Sequence, residues 1–366
     1  MAGGATGEGR VRILVVGLGN MGASHADAYH RSDGFEIVGL MSRTIRSREI
    51  PEALAGYPLF EDFEEALAET TPDAVSINSY PDTHAAYALR AMKAGAHVFM
   101  EKPIATNVED AERIVAAAKA GGRKLVLGYI LRVHPSWQTF IEKGRGLGKP
   151  LVMRLNLNQQ SSGPAWHWHR NLIDSLMPIV DCGVHYVDVM CQLTGARPVR
   201  VHGIGARLWD EAARQNYGHM HITFDDGSVG WYEAGWGPMM SEEAFFVKDV
   251  IGPKGAVTIT ARNAARAEGT DRSDSADIDR HTKTDAIRIH HADVGPDREF
   301  TRADEILSMD DEPGHQELCD REQEFFLRAI REDLDLDASM RAAVDSLRIV
   351  LAAERSILEE RAITLD

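Results

Sequence analysis

The chain has 366 residues, 44% hydrophobic and 26% charged, which is material for more than one hydrophobic core and too apolar for global disorder. Its 40 basic and 56 acidic residues leave a net charge of −16, which argues against a nucleic acid or a membrane surface as partner while leaving room for a locally basic small-molecule pocket. The three cysteines, Cys182, Cys191 and Cys319, form no CxxC pair and no zinc spacing, and a reducing, cytoplasmic compartment is the simpler expectation.

Residues 1–10 are rich in Gly and lack the apolar run of a signal peptide, so they are expected to form a flexible leader. From 11 to 130 short apolar runs alternate with helical patterns, the signature of a parallel sheet covered on both faces. The expected strands are 11–16, 35–41, 74–78, 97–100 and 124–127. Between them, 62–69 and 83–94 read as helices, the second with Asp82 as N-cap. Residues 107–120 form a stronger helical pattern, opened by Asn107 and closed by Gly121 and Gly122.

The pattern changes beyond Tyr129. Residues 135–143 read as a linking helix, 151–157 as a strand and 179–193 as one helix. From Val199 onward short runs alternate in the antiparallel manner around the turn Asp225-Asp226-Gly227. Residues 261–302 are polar and weakly periodic and are expected to form an excursion or long loop. The helical segments 316–331 and 338–360 follow, one of them a candidate to return across the domain boundary. The expected architecture is α/β: a Rossmann-type domain over 11–130, then a substrate-binding and oligomerisation α+β domain over 131–366 whose open sheet is largely antiparallel.

Gly17-Leu18-Gly19-Asn20-Met21-Gly22 falls between the first strand and the first helical stretch. In that position Gly17 permits a tight turn, Gly19 lets the backbone approach a pyrophosphate, and Gly22 lets helix and strand pack, with the helix N-terminus facing the anion. Gly17, Gly19, Asn20, Met21 and Gly22 are therefore candidate dinucleotide ligands. The second strand ends Leu40-Met41-Ser42-Arg43, with no acid for the ribose of NAD. Ser42 and Arg43 favour NADP over NAD, since an arginine pairs with a 2′-phosphate; an arginine stacked on adenine, or a plain surface arginine, is the competing reading.

Glu101-Lys102-Pro103 follows the strand 97–100, at the carboxyl edge where such sheets bind ligands. Lys102 can donate to a substrate oxygen, and Glu101 can orient a ribose or the lysine; a merely charged turn is the bland alternative. Further on, Asp181 and His185 are four apart in a helical stretch with Asp188 three beyond, which offers a base near neutral pH and carboxylates to tune it. An ordinary packed histidine competes with this reading. A metal site is set aside, because hydride transfer from a secondary alcohol needs none once a lysine and a histidine manage the proton. Trp166-His167-Trp168-His169-Arg170 gathers aromatic and basic groups. As a strand its tryptophans and histidines face opposite ways, and as a loop all can line a sugar pocket; a packing contact is the alternative. His219 and His221 read as structural.

Taken together, GLGNMG at 17–22, EKP at 101–103, GYILRVHP at 128–135 and DCGVHYVD at 181–188 resemble the glucose-fructose oxidoreductase, inositol dehydrogenase and rhizopine-catabolism (Gfo/Idh/MocA) family, over nearly the whole chain. The resemblance implies an NAD- or NADP-dependent oxidoreductase acting on a ring hydroxyl of a sugar or cyclitol, or on its ketone. The family's lysine falls on Lys102, its aspartate on Asp181 and its histidine on His185. His185 is expected to accept the hydroxyl proton while Lys102 donates to the same oxygen. Tyr129, Arg132, Trp166, His167 and His169 join Asp181 and His185 as expected substrate contacts. The resemblance also implies a homodimer or homotetramer through the open sheet. Two family variations remain open here, a metabolite-responsive regulator and a glycosidase acting through transient oxidation.

Overall fold

The computed structural model describes residues 9–47, 49–241, 247–260 and 282–365. The chain divides into two compact units, the first formed by the described residues up to Ile130 together with Gln316–Val344, the second by Leu131–His315 with the described residues from Asp345 onward.

The first unit is built on six strands, β1 (Val11–Val16), β2 (Phe35–Met41), β3 (Leu59–Phe60), β4 (Ala74–Ile77), β5 (His97–Met100) and β6 (Leu125–Leu127), all parallel in the order β3-β2-β1-β4-β5-β6. Their side chains, among them Ile13, Val15, Val75, Ile77, Val98 and Phe99, are almost wholly buried, as a sheet covered on both faces requires. The helices are α1 (Asn20–Arg31), α2 (Phe63–Thr70), α3 (Pro81–Lys93) and α4 (Val108–Gly121). Helix α4 starts and stops as its sequence dictates, with the Asn107 side chain accepting the Asp110 amide and Gly122 closing it at φ 60°. Helix α3 begins earlier than the acid at 82 suggests. Pro81 occupies its first turn and Tyr80 is the N-cap, because the fixed φ of proline suits a first helical residue that needs no donor.

The second unit contains α5 (Pro135–Arg145), β7 (Val152–Gln160), α6 (Gly163–Ile173), α7 (Pro178–Asp181), α8 (Gly183–Thr194), and strands β8 (Pro198–Ala206), β9 (Tyr217–Phe224), β10 (Val229–Gly237), β11 (Lys248–Gly252), β12 (Gly255–Thr260), β13 (Ala286–His291), β14 (Glu305–Ser308) and β15 (Ile363–Thr364). These form one nine-stranded sheet, β14-β13-β12-β11-β7-β10-β9-β8-β15, antiparallel except for the central β7–β10 pair. Helices α7 and α8 lie against β9 and β10, so the inward residues Met220, Ile222 and Tyr232 are buried. The opposite face alternates outward with Val152, Ile204, Val229 and Ile251, each between 38% and 50% exposed.

Three further expectations change. The single helix over 179–193 is two, divided at Cys182. The segment 166–170 is neither strand nor loop but lies inside α6. Of the expected excursion, 261–281 lie outside the described residues, while Ala286–His291 is a regular strand whose Ile287 and Ile289 are buried. The last two helices are α9 (His315–Arg331) and α10 (Asp337–Glu359), after which comes β15. Helix α9 packs in the first unit, where the Phe326 ring stacks on Phe35 with centroids 6.2 Å apart and lies 6.1 Å from Phe99. No helix among the described residues is long and apolar enough to cross a membrane.

Candidate functional site

In the first unit the candidate residues converge on the carboxyl edge of the parallel sheet, where the strand order reverses between β1 and β4. Gly17 leaves β1 at φ +84°, a left-handed conformation, and a Cβ on it would lie 2.7 Å from the Asn78 carbonyl at the end of β4. A Cβ on Gly22 would lie 1.9 Å from the Gly17 oxygen. Nothing lies within 4 Å of the Cβ direction of Gly19, and no side chain caps the N-terminus of α1 at Asn20, Met21 and Gly22. Two glycines are thus demanded by packing, whereas the third opens on free space beside an uncapped helix end. That arrangement fits a diphosphate, which takes the helix amides as donors.

Arg43 and Met41, at the end of β2, line a shallow pocket floored by Phe63 and Tyr87, whose rings are 4.5 Å apart. The residues immediately after β2 carry no acid, yet the fold brings Glu61, Asp62 and Glu64 to the same pocket. Each is engaged. Glu61 lies 3.6 Å from Arg46, Asp62 caps α2 by accepting the Glu65 amide at 2.9 Å, and Glu64 pairs with Arg90, which holds its pKa below the usual carboxylate value. Among the described residues Arg43 makes no ion pair, and it is exposed.

Glu101 and Lys102 follow β5. Glu101 is 7% exposed; its carboxyl lies over Gly128, where a Cβ would come within 3.1 Å of it, and accepts the Lys102 amide at 3.1 Å. The Lys102–Pro103 peptide bond is cis. His84 fastens this turn to the start of α3, with Nδ1 2.8 Å from the Pro103 oxygen and Nε2 3.0 Å from the Ser79 oxygen. Burial holds its pKa below the ordinary value against the pull of those two carbonyls. Tyr129 is buried just beyond β6, its amide donating to the Leu127 oxygen at 2.7 Å.

In the second unit Asp181 ends α7 and His185 lies in the first turn of α8, so they are not on one continuous helix face. Asp188 is taken up elsewhere. The Arg132 guanidinium grips it with Nε at 2.8 Å and a second nitrogen at 2.5 Å, and Gln192 adds a bond at 2.9 Å. The expected Asp188 support of His185 is therefore replaced by a bidentate pair with Arg132, which is the geometry a guanidinium fork prefers.

Helix α6 sorts the aromatic and basic cluster by its own period. Arg170 lies over the Trp166 ring at 5.4 Å, one turn away, and His167 faces outward. His169 turns inward, stacks on Trp236 at 4.7 Å with the rings nearly parallel, and shares a 2.8 Å hydrogen bond with Ser161. Trp236 in turn donates to Gln159 at 2.8 Å, and the same oxygen accepts the Cys182 thiol at 3.3 Å, next to Asp181. The structure so joins His169 to the Asp181 region through Trp236 and Gln159, two residues that no motif or spacing singles out. Both end strands of alternating pattern, and what brings them together is the parallel β7–β10 register, in which Trp236 faces Gln159.

Comparison with known proteins bears on the family and fold of both units. Residues 11–129 match the family model of oxidoreductases with an NAD-binding Rossmann fold, and 138–258 match the GFO/IDH/MocA C-terminal domain. The chain is 32% identical over 222 residues to UDP-N-acetylglucosamine 3-dehydrogenase of Acidithiobacillus ferrooxidans, a match covering 60% of this chain and 65% of that protein. It is 27% identical over 263 residues to scyllo-inositol 2-dehydrogenase (NAD(+)) of Bacillus subtilis, covering 69% and 74%. The fold superposes on the WlbA dehydrogenase of Bordetella pertussis, solved with NADH and UDP-GlcNAcA, with a TM-score of 0.73 at 20% identity over 98% and 99% of the two chains.

Proposed function

The chain belongs to the GFO/IDH/MocA family of oxidoreductases, and from that premise we propose that it transfers hydride between a ring secondary hydroxyl of a sugar or cyclitol, or the corresponding ketone, and a nicotinamide dinucleotide. The observation that carries this reading is the turn Gly17–Gly22, where packing demands Gly17 and Gly22 while Gly19 opens on space at an uncapped helix end. Gly17, Gly19, Asn20, Met21 and Gly22 hold the diphosphate, Ser42 and Arg43 the adenosine ribose, and Glu101 and Lys102 the nicotinamide side. When bound, the dinucleotide supplies the hydride acceptor.

Lys102 donates to the substrate oxygen and lowers the cost of alkoxide character there, His185 takes the hydroxyl proton, and Asp181 holds the surrounding network. Tyr129, Arg132, Trp166, His167 and His169 are assigned to the substrate, with Trp faces suited to the C–H face of a sugar ring. Arg132 serves by orientation, since its fork is committed to Asp188. The form of the cofactor is NADP in preference to NAD. Among the described residues Arg43 has no ion pair, and the acids around its pocket are already engaged.

The protein acts in the cytoplasm, which suits three cysteines that form no disulfide among the described residues, and assembles as a homo-oligomer through the sheet face that exposes Val152, Ile204, Val229 and Ile251. The test is turnover. Purified protein with NADP or NAD and a panel containing myo-inositol, scyllo-inositol, glucosides and UDP-N-acetylglucosamine is expected to change nicotinamide absorbance with at least one of them. Dinucleotide binding without turnover of any cyclic alcohol or ketone would overturn the reading.

A further inference from the structure

Beneath the Lys102 turn lies a row of buried polar side chains that the chemistry above does not use. His25 is 0% exposed, Gln323 and Tyr29 1% each. They are joined end to end: the Tyr29 hydroxyl donates to Gln323 Oε1 at 2.5 Å, Gln323 Nε2 lies 2.9 Å from His25 Nδ1, and His25 Nε2 lies 2.9 Å from Glu101 Oε1. The remaining Glu101 oxygen accepts the Lys102 amide.

Chemistry sets the direction of every bond. An amide NH2 only donates, so Nδ1 of His25 accepts and the ring proton resides on Nε2, from which it is given to Glu101. The Tyr29 hydroxyl, donating to the carbonyl end of the same amide, fixes which way that amide faces. Glu322, beside Gln323 on α9, is 3% exposed with neither carboxyl oxygen hydrogen-bonded. Burial, reinforced by Glu101, pushes its pKa well up, which disfavours a second negative charge beside Glu101. His25, Cys319 and Glu322 bring ligand-type atoms within 4.8 Å of one another, but both nitrogens of His25 are already bonded, which leaves no lone pair for an ion.

We propose that Gln323 and His25 are positioning residues. By holding the imidazole in its Nε2–H form they pin Oε1 of Glu101, whose other oxygen accepts the Lys102 amide, and Glu101 so fixes the backbone from which Lys102 projects. The proposal rests on the assignment of Lys102 to the substrate oxygen. A ring in the other tautomer would turn a lone pair toward Glu101 and release the turn, with no change in the residues that touch cofactor or substrate.

Nitrogen-15 correlation spectra of histidine-labelled protein, with His25 identified by its loss in His25→Gln, are expected to show a proton on Nε2 alone at pH 7. A proton on Nδ1 overturns the proposal. Gln323→Glu replaces the donor with an acceptor and is expected to put a proton on Nδ1. Gln323→Met removes the donor at nearly constant shape and is expected to lower kcat about tenfold with whichever alcohol of the panel is turned over, while KM and dinucleotide affinity stay within about twofold. Gln323→Glu, equal in size to the native residue, carries the same kcat expectation if Gln323→Met fails to fold. Unchanged kcat in these variants, in an enzyme that Lys102→Ala inactivates, overturns the positioning role. Full kcat in Lys102→Ala overturns the lysine assignment instead, and the spectra, which need no turnover, tell the two failures apart.

Discussion

Nδ1 of His97, at the start of β5, accepts the backbone amide of Lys124 at 2.9 Å, a bond that only an unprotonated nitrogen can make. Burial, and after it the charges of Arg123 and Lys124, push the His97 pKa down to about 4. The folded value lies below that of a free histidine, so between the two the unfolded chain binds more protons. The contribution is complete above about pH 6.5 and is lost as the pH falls toward 4. Because His97 is not fully buried, solvent screening reduces the effect to about 1.5 kcal/mol. Urea unfolding of wild type and His97→Gln across pH 4.5 to 7.5 should show the stability gap narrowing on acidification. A constant gap would refute the account.

The three glycines of the cofactor turn should separate into two classes. Gly22→Ala drives a methyl group to 1.9 Å from the Gly17 oxygen and is expected to lower the melting temperature. Gly19→Ala meets nothing within 4 Å and should melt like the wild type yet bind dinucleotide at least tenfold more weakly, since the added methyl occupies the approach of the diphosphate. Calorimetric melting and titration measure both. Normal affinity in Gly19→Ala would remove the diphosphate from this turn.

Lys102→Ala and His185→Ala should each reduce kcat by about a hundredfold to ten-thousandfold, the range for removal of a group that handles a proton in the transition state, with a much smaller effect on dinucleotide affinity. Steady-state rates and separate binding titrations resolve the two quantities. A large loss of dinucleotide affinity with kcat preserved at saturation would reassign either residue to binding alone.

Arg43→Ala should weaken NADP by about 1.5 to 3 kcal/mol and NAD much less, the difference expected for a charge-assisted contact with the 2′-phosphate. Stacking on adenine would weaken both alike. Isothermal titration with each dinucleotide decides, and a wild-type preference for NAD would end the NADP assignment.

The first unit was readable because a parallel sheet covered on both faces demands unbroken apolar runs, and 11–16, 35–41 and 97–100 emerge as strands with the expected bounds. The glycine spacing was readable for a similar reason, since steric demands at Gly17 and Gly22 are local to the turn. What escaped depends on long-range pairing. The two-residue strand β3 has too few residues to show a period. Asp188 and His185 share a helix, yet the carboxylate is claimed by Arg132 from 56 positions away. Gln159 and Trp236 meet only through the β7–β10 register, and Gln323 reaches His25 only because α9 returns to the first unit. Spacing within one element cannot report any of these.

The return of α9 also has a consequence for synthesis. When the ribosome has made the first 130 residues, all six parallel strands exist, but Phe326 has not yet been translated, and Phe35 and Phe99 lack the ring that lies beside them in the finished unit. Gln323 lies 298 positions beyond its histidine partner, so a long stretch of chain must emerge before the first unit is chemically complete. A nascent chain in this state exposes aromatic surface for as long as the second unit takes to be made. A fragment ending at Ile130 should accordingly bind a hydrophobic dye, and adding a peptide of residues 315–344 should displace it. Over that interval the rings of Phe35 and Phe99 have only solvent or another chain to meet.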